Sequence, residues 1–411
     1  MDSHENPSKV ARSFSLRLAL FYGAIFAGLG IYLPYLPVWL ASRGMTPAEI
    51  GILAAAPMFL RVIATPAIAF YADARGDLRE TILISSWLGL LAVLLLNNVS
   101  GFWPILFLIL LFQLTFQSIL PLTEAKAMSG IRAYKLDYGR IRLWGSVAFI
   151  AANLIGGMAI AQYSSGVVLI MVSVAVVIMI VTGHALPHDD AHRPKSTTQP
   201  GQSRKIRISD VSQLATAPWF LILMIASGAI QSSHAVFYAF SAIHWRAQNI
   251  SDGWIGALWA LGVIAEVGLF AISGRLMQRI GPIGLIIVGG IAAVIRWFAM
   301  VFDPSFWALL PLQLLHALTF GATFLGTLHI LQNSVPENQA GSAQGLHAAL
   351  APGIITGVVT VIAGQIYEPM QAMSYLVMSA LAVIGIVSAL ALPQLVPKPE
   401  IIPAPFNPTE P

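Results

Sequence analysis

Apolar stretches of about 20 residues recur from one end of this chain to the other, and this recurrence constrains the fold more than any single motif. A helix of about 20 apolar residues crosses ~30 Å of hydrocarbon. The predicted spans are 16–40, 49–71, 80–99, 103–125, 139–162, 165–186, 216–245, 253–273, 282–302, 305–332, 345–367 and 372–393. Charged residues make up 10% of the chain and hydrophobic ones 57%, whereas soluble domains carry about a quarter charged. No aqueous fold hides so much apolar surface, so lipid is the solvent for most of this chain. The expected fold class is an all-α integral membrane protein with about twelve transmembrane helices.

Positive residues collect on the cytoplasmic side of membrane proteins. If the chain starts inside, most of its 22 Lys and Arg fall in inner segments. The outer loops then hold Arg43 and Arg246, while Arg61, Arg142 and Arg296 lie within spans. The net charge of +4 is thus a topology signal, and no nucleic-acid partner is expected. The expectation is a multi-pass protein of a bacterial inner membrane with both termini cytoplasmic. Residues 1–15 read as a cytoplasmic tail, because they lack the apolar core and small-residue cleavage site of a signal peptide.

Residues 187–213, rich in Pro, Ser and charge, read as a flexible cytoplasmic linker. The linker divides the spans into bundles at 16–186 and 214–393, and a Pro-rich tail follows at 394–411. His184, His188 and His192 beside Asp189 and Asp190 resemble a metal cluster in composition, but a solvated charge run explains them and no metal is expected. With no cysteine, disulfides and thiolate chemistry are excluded. The chain also lacks a Walker loop, a GxGxxG following a strand and an HExxH. We therefore expect neither an enzyme nor a cofactor, and a proton gradient is the expected energy source.

The two bundles repeat one another. Residues 49–76 and 254–281 align at constant offset, pairing Ile50 with Ile255, Gly51 with Gly256, Leu53 with Leu258 and Gly76 with Gly281. Such repeats mark secondary transporters, whose halves rock about a site near the bilayer midplane.

Ionisable groups at membrane depth are functional suspects by default. Arg61 lies ~18 Å from either end of its predicted helix, too deep to reach the interface. It faces a cavity or a buried partner, or it braces helices through backbone carbonyls. Glu266 is its counterpart under the repeat offset. A lone carboxyl at that depth holds a proton more readily than one in water, as a proton-coupled carrier requires; the alternative is a carboxylate locked to an arginine. Arg296 and His316 fall ~10–14 Å deep on adjacent spans, so Glu266, Arg296 and His316 are candidates for one proton-coupling cluster. His234 also lies in a span, where it could line a site or simply bond a carbonyl. Glu124 and Arg142 form a further acid–base pair near the inner ends of spans 4 and 5, either as an interfacial salt bridge or as part of a site.

At these residues the chain resembles the major facilitator superfamily, in the branch that contains lactose permease and phenylpropionate permease. The resemblance rests on PLTEAKA at 121–127, LDYGRIRLWGSVAF at 136–149, FYAFSAIHW at 237–245, LGVIAEV at 261–267 and QLLHALTF at 313–320. In all five segments the phenylpropionate permease is the nearer of the two. The turn ADARG at 72–76 is a degenerate copy of the superfamily's loop after helix 2, which implies a gating role for Asp73 and Arg75.

The resemblance implies a major facilitator fold of two six-helix halves. It places Glu124 and Arg142 on an acid and base that bind sugar in lactose permease, with Phe149 on its stacking tryptophan. It puts Glu266, Arg296 and His316 on that protein's glutamate, arginine and histidine of helices 8, 9 and 10. Gln313 and Thr319 replace a lysine and the coupling glutamate, so either the proton is carried elsewhere, with Glu266 as the candidate, or coupling is absent. The expected substrate site comprises Arg61, Glu124, Arg142, Phe149, His234 and Tyr238, with Tyr35, Phe237 and Trp245 as further aromatic lining. The expected function is proton-coupled symport of a small organic solute, with an aromatic or other carboxylate suiting the arginines. Sugar or nucleoside symport, efflux, and a membrane sensor without transport are the alternatives. A monomer is expected, with substrate, proton and lipid as its partners.

Overall fold

The computed structural model describes residues 7–75, 77–187, 208–336 and 339–397, and every regular element among them is helical. α1 (Pro7–Ser42), α2 (Pro47–Arg75), α3 (Leu78–Leu96), α4 (Phe102–Tyr134), α5 (Tyr138–Tyr163) and α6 (Val167–Ala185) make six successive crossings. Short polar turns separate them. Asp77 and Asp137 cap α3 and α5 by accepting from the backbone N–H of Glu80 and Arg140, satisfying donors that a helix start leaves free. α1 and α4 run past the predicted apolar spans at the terminal side, because a helix continues where hydropathy falls but no breaker stands.

α7 (Ile208–Thr216) is a short helix leading into the second half. The seventh crossing, predicted as one helix, is two: α8 (Pro218–Ser232) and α9 (Ala235–Ala247), interrupted at Ser233 and His234. α10 (Asp252–Ala271) is the eighth crossing. α11 (Ser273–Met300) kinks at Gly281, whose φ of 74° lies outside helical space, and the apolar crossing begins at Pro282 as predicted. The tenth crossing joins α12 (Phe306–Leu314) to α13 (Thr323–Ser334) through a π-turn at Ala317–Ala322. The eleventh joins α14 (Ala340–Ala349) to α15 (Thr356–Met370) through a π-turn at Leu350–Ile355. α16 (Ser374–Leu395) is last.

Eleven stretches of the described residues are long and apolar enough to cross a membrane, and the last of them holds 56 residues. A straight helix of that length would reach about 84 Å, nearly three times the hydrocarbon thickness. It is broken instead at Gln371, with φ 47° and ψ −126°. α15 then packs on α2, while α16 packs on α8 and α11. The stretch is therefore two crossings, the total is twelve, and both ends of the described chain lie on one face, the near face.

In the first half α1 packs on α5 and α6, and α4 on α2 and α3; in the second, α11 packs on α13 and α16. The halves meet chiefly through α5 with α10, α2 with α15 and α1 with α9. The closest of these contacts lie towards the far ends of the helices and depend on glycine. A Cβ built on Gly51 would stand 2.7 Å from Gly364 Cα, and one on Gly157 would stand 2.2 Å from the Asp252 carbonyl oxygen. Tyr35 borders this contact, its hydroxyl donating to the Asn153 carbonyl of its own half at 2.7 Å. Towards the near face, a Cβ on Gly268, Gly341 or Gly345 would meet nothing within 4 Å. The tightest joins between the halves thus lie at the far face.

Candidate functional site

A cavity of about 370 Å³ lies between the halves. Each helix gives it one face at helical spacing: Gln113, Phe116, Gln117 and Leu120 from α4, then Gln231, Ala235, Tyr238 and Ala239 across the α8–α9 break. The π-turns contribute Phe320 and Pro352. An extra residue in a π-turn shifts the helical register, which turns these side chains toward the centre. Tyr32, Phe116, Tyr238 and Phe320 give the cavity aromatic walls.

Among the described residues, Arg61 is the one cation on this lining. Among the described residues, no hydrogen bond or ion pair engages its guanidinium. It shares a small adjoining recess with Gln113 and Gln117 of α4. A buried or half-buried charge is ordinarily paired; here the guanidinium is turned to the cavity instead.

Glu266, Arg296 and His316 come together beside the cavity. Arg296 is fully buried, held between the rings of Phe237 and Trp297 at 4.7 and 4.6 Å. Its Nη2 donates to Gln313 Oε1 at 2.7 Å and its Nη1 to His316 Nδ1 at 3.2 Å. Guanidinium can only donate, so His316 Nδ1 accepts and its Nε2 carries the proton, directed at Glu266 Oε2 3.6 Å away.

His234 lies on the other side of Thr319. Its Nδ1–H donates to the Gln231 carbonyl at 3.0 Å, leaving Nε2 to accept from the Thr319 hydroxyl at 2.8 Å. The ring stacks on Tyr238. His234 is fully buried and does not reach the cavity surface, although its neighbour Tyr238 does.

Glu124 and Arg142 form an ion pair, 3.7 Å apart and each about 30% exposed. Tyr138 donates to Glu124 at 2.6 Å, and Arg142 lies 3.9 Å over the Phe26 ring. The pair and Phe149 stand outside the cavity lining. Tyr35 belongs to the far-face contact, and Phe237 and Trp245 are packed in the core. Asp73 and Arg75 close α2, but their side chains lie outside the described residues, as do His188 and His192 of the linker. Among the described residues, no group of three or more His, Cys, Asp or Glu is arranged to hold a metal.

Sequence reasoning missed Gln113, Gln117 and Gln231. Their signal was present in the first two, which are polar residues at i and i+4 within an apolar run and so share one face.

The profile of the MFS_1 like family matches residues 15–377. A curated relative from Escherichia coli strain K12, the "Probable 3-phenylpropionic acid transporter", is 30% identical over 397 residues, covering 94% of this chain and 98% of its own. The "Maltose permease" of Geobacillus stearothermophilus is 24% identical, covering 91% and 93%. Among solved structures, the nucleoside transporter NupG superposes with a TM-score of 0.78 at 16% identity, over 93% of this chain and 98% of that one. A bacterial homologue of the lysosomal transporter Spinster, captured facing inward, gives 0.67 at 14% identity, over 96% of each chain.

Proposed function

The chain belongs to the MFS_1 like family and is a multi-span membrane transporter of small molecules, and from that premise we propose that it imports an organic carboxylate together with a proton by alternating access. One observation carries the substrate class. The cavity presents a single cation, Arg61, that has no acid partner among the described residues, against aromatic and aliphatic walls. A planar guanidinium binds carboxylate through two parallel N–H donors, and the walls suit an aromatic or aliphatic body. The relative named for 3-phenylpropionic acid, an aromatic carboxylate, supports the same reading.

Coupling is assigned to Glu266. It faces His316 Nε2 within its own half, and Arg142 of the first half is its electrostatic neighbour. Protonation of Glu266 removes a charge whose field reaches Arg142 of the other half. The loaded carrier can then pass between its two states, and release of the proton restores the charge. Arg296 and His316 position this carboxyl; Glu124 and Arg142 complete the polar surface on the first half. In this reading both termini are cytoplasmic, the near face is the cytoplasmic one, and the carrier works as a monomer.

The test uses purified protein in liposomes that enclose a pH-sensitive dye. Addition of 3-phenylpropionate or a related aromatic acid is expected to drive proton entry. Proton entry with a disaccharide or nucleoside, and none with any acid, would overturn the substrate class. Carboxylate counterflow without proton movement would keep the substrate and remove Glu266 from its role.

A further inference from the structure

We propose that Gln231 reads a second, uncharged hydrogen-bonding group on the substrate, so that the cargo is an aromatic carboxylate bearing a hydroxyl at the end remote from its acid. The proposal rests on the carboxylate reading and adds to it the chemistry of the substrate's other end.

Gln231 lies on the cavity wall in the last turn of α8, one residue before the helix stops. The interruption that follows satisfies its backbone: the carbonyl accepts from the His234 N–H at 3.2 Å and from the His234 ring at 3.0 Å. Its side chain is not satisfied. Nε2 is buried with no hydrogen-bond partner. An amide donor enclosed without an acceptor is disfavoured, and a turn of the half-buried side chain that brings Nε2 to a ligand oxygen in the cavity recovers the lost bond.

Of the other polar groups of the second-half wall, the Tyr238 hydroxyl stands beside Gln231 as a second neutral hydrogen-bonding group, and the two threonines are committed elsewhere. Thr356 donates to the Ala351 carbonyl at 2.9 Å and Thr360 to the Thr356 carbonyl at 2.7 Å. Among the described residues, no cation of the second half lines the cavity, since Arg296 is fully enclosed. A second carboxylate would therefore be buried there without a counter-charge, which excludes dicarboxylates. A neutral oxygen fits the site.

Arg61 stands on α2 and Gln231 on α8, in opposite halves, with the rings of Phe116, Tyr238 and Phe320 lining the space between. A ligand anchored by its carboxylate at Arg61 and by a ring hydroxyl at Gln231 bridges the two halves. Binding sites with an unpaired donor reject analogues that lack the acceptor, so the hydroxyl is a selectivity determinant.

The test compares binding of 3-phenylpropionate and 3-(4-hydroxyphenyl)propionate to the purified full-length protein by titration calorimetry. The wild type is expected to bind the hydroxylated acid about tenfold more tightly, as one recovered hydrogen bond implies. Gln231→Leu is expected to bring that ratio to about one. Gln231→Met, a closer match in shape, repeats the comparison if the leucine variant does not fold. Equal binding of the two acids by the wild type, or a tenfold ratio kept in the variants, overturns the proposal while leaving the carboxylate reading intact. Binding of neither acid overturns both.

Discussion

Arg296 Nη2 donates to Gln313 Oε1 across 2.7 Å, so the guanidinium at the centre of the second half is held by a neutral amide. Its other partners, the His316 ring nitrogen and the Thr319 hydroxyl, are neutral acceptors as well. The buried charge is stabilised by dipoles and by the faces of Phe237 and Trp297, with no carboxylate bonded to it among the described residues. Glu266 is thereby left without a direct arginine partner in its own half.

That arrangement predicts a separation of stability from transport. Arg296→Met leaves Gln313 Oε1 and His316 Nδ1 without donors, at about 1–3 kcal/mol for each buried group, and is expected to lower the melting temperature in detergent. Adding Gln313→Leu removes one orphan and is expected to restore part of the loss, because an apolar replacement of a complete buried pair is tolerated better than half of one. Uptake should be lost in both variants. A double variant less stable than Arg296→Met would refute the account.

Arg61 behaves oppositely. Its guanidinium has no partner among the described residues to leave behind, so Arg61→Gln is expected to keep or raise thermal stability. The same change should weaken binding of an aromatic carboxylate by at least about tenfold, the value of one charge-assisted bond. Calorimetric titration beside a melting curve reads both effects, and undiminished binding would move the carboxylate elsewhere.

Glu266→Gln keeps shape and hydrogen bonding but cannot release a proton. The variant is expected to exchange substrate across liposomes at near wild-type rate, to accumulate none against a gradient, and to lose dependence on external pH. Accumulation at the wild-type level would show that another group carries the proton.

At the far face, backbone meets backbone. A Cβ on Gly364 would lie 2.8 Å from Gly51 Cα, closer than atoms of folded chains approach. Gly364→Val is expected to force the far ends apart and bias the carrier toward the opposite state. Since the chain has no cysteine, a pair introduced across the α2–α15 contact can report the change, with disulfide cross-linking falling severalfold. Cross-linking at the level of the Gly364 parent would show that the helices absorb the side chain by sliding.

Hydropathy made the crossings legible because lipid leaves the backbone no choice but helix, and Gly281 followed by Pro282 marked the start of the ninth crossing in plain sight. The break at Ser233 and His234 was invisible, since neither residue is a breaker; tertiary hydrogen bonds donated by Thr319 and Trp297 hold it open. The two π-turns were equally hidden, because they are set by packing of the tenth and eleventh crossings rather than by local propensity. Depth counting brought Glu266, Arg296 and His316 to one level, and the chain does bring them into contact. What counting could not supply was direction around the helix axis. Arg61 and Tyr238 meet the cavity, whereas Glu124, Arg142, Phe149 and His234 turn to their own neighbours.

The glycine contact at the far face has a consequence for the kinetics of the carrier. Attraction between bare backbones is dispersive and fades within about an ångström of separation. Such a joint contains few long side chains that could stretch, swing or hold an intermediate. In the alternating-access cycle proposed above, a joint of such short reach parts over a small displacement, which keeps brief the half-open stage in which both faces could leak ions.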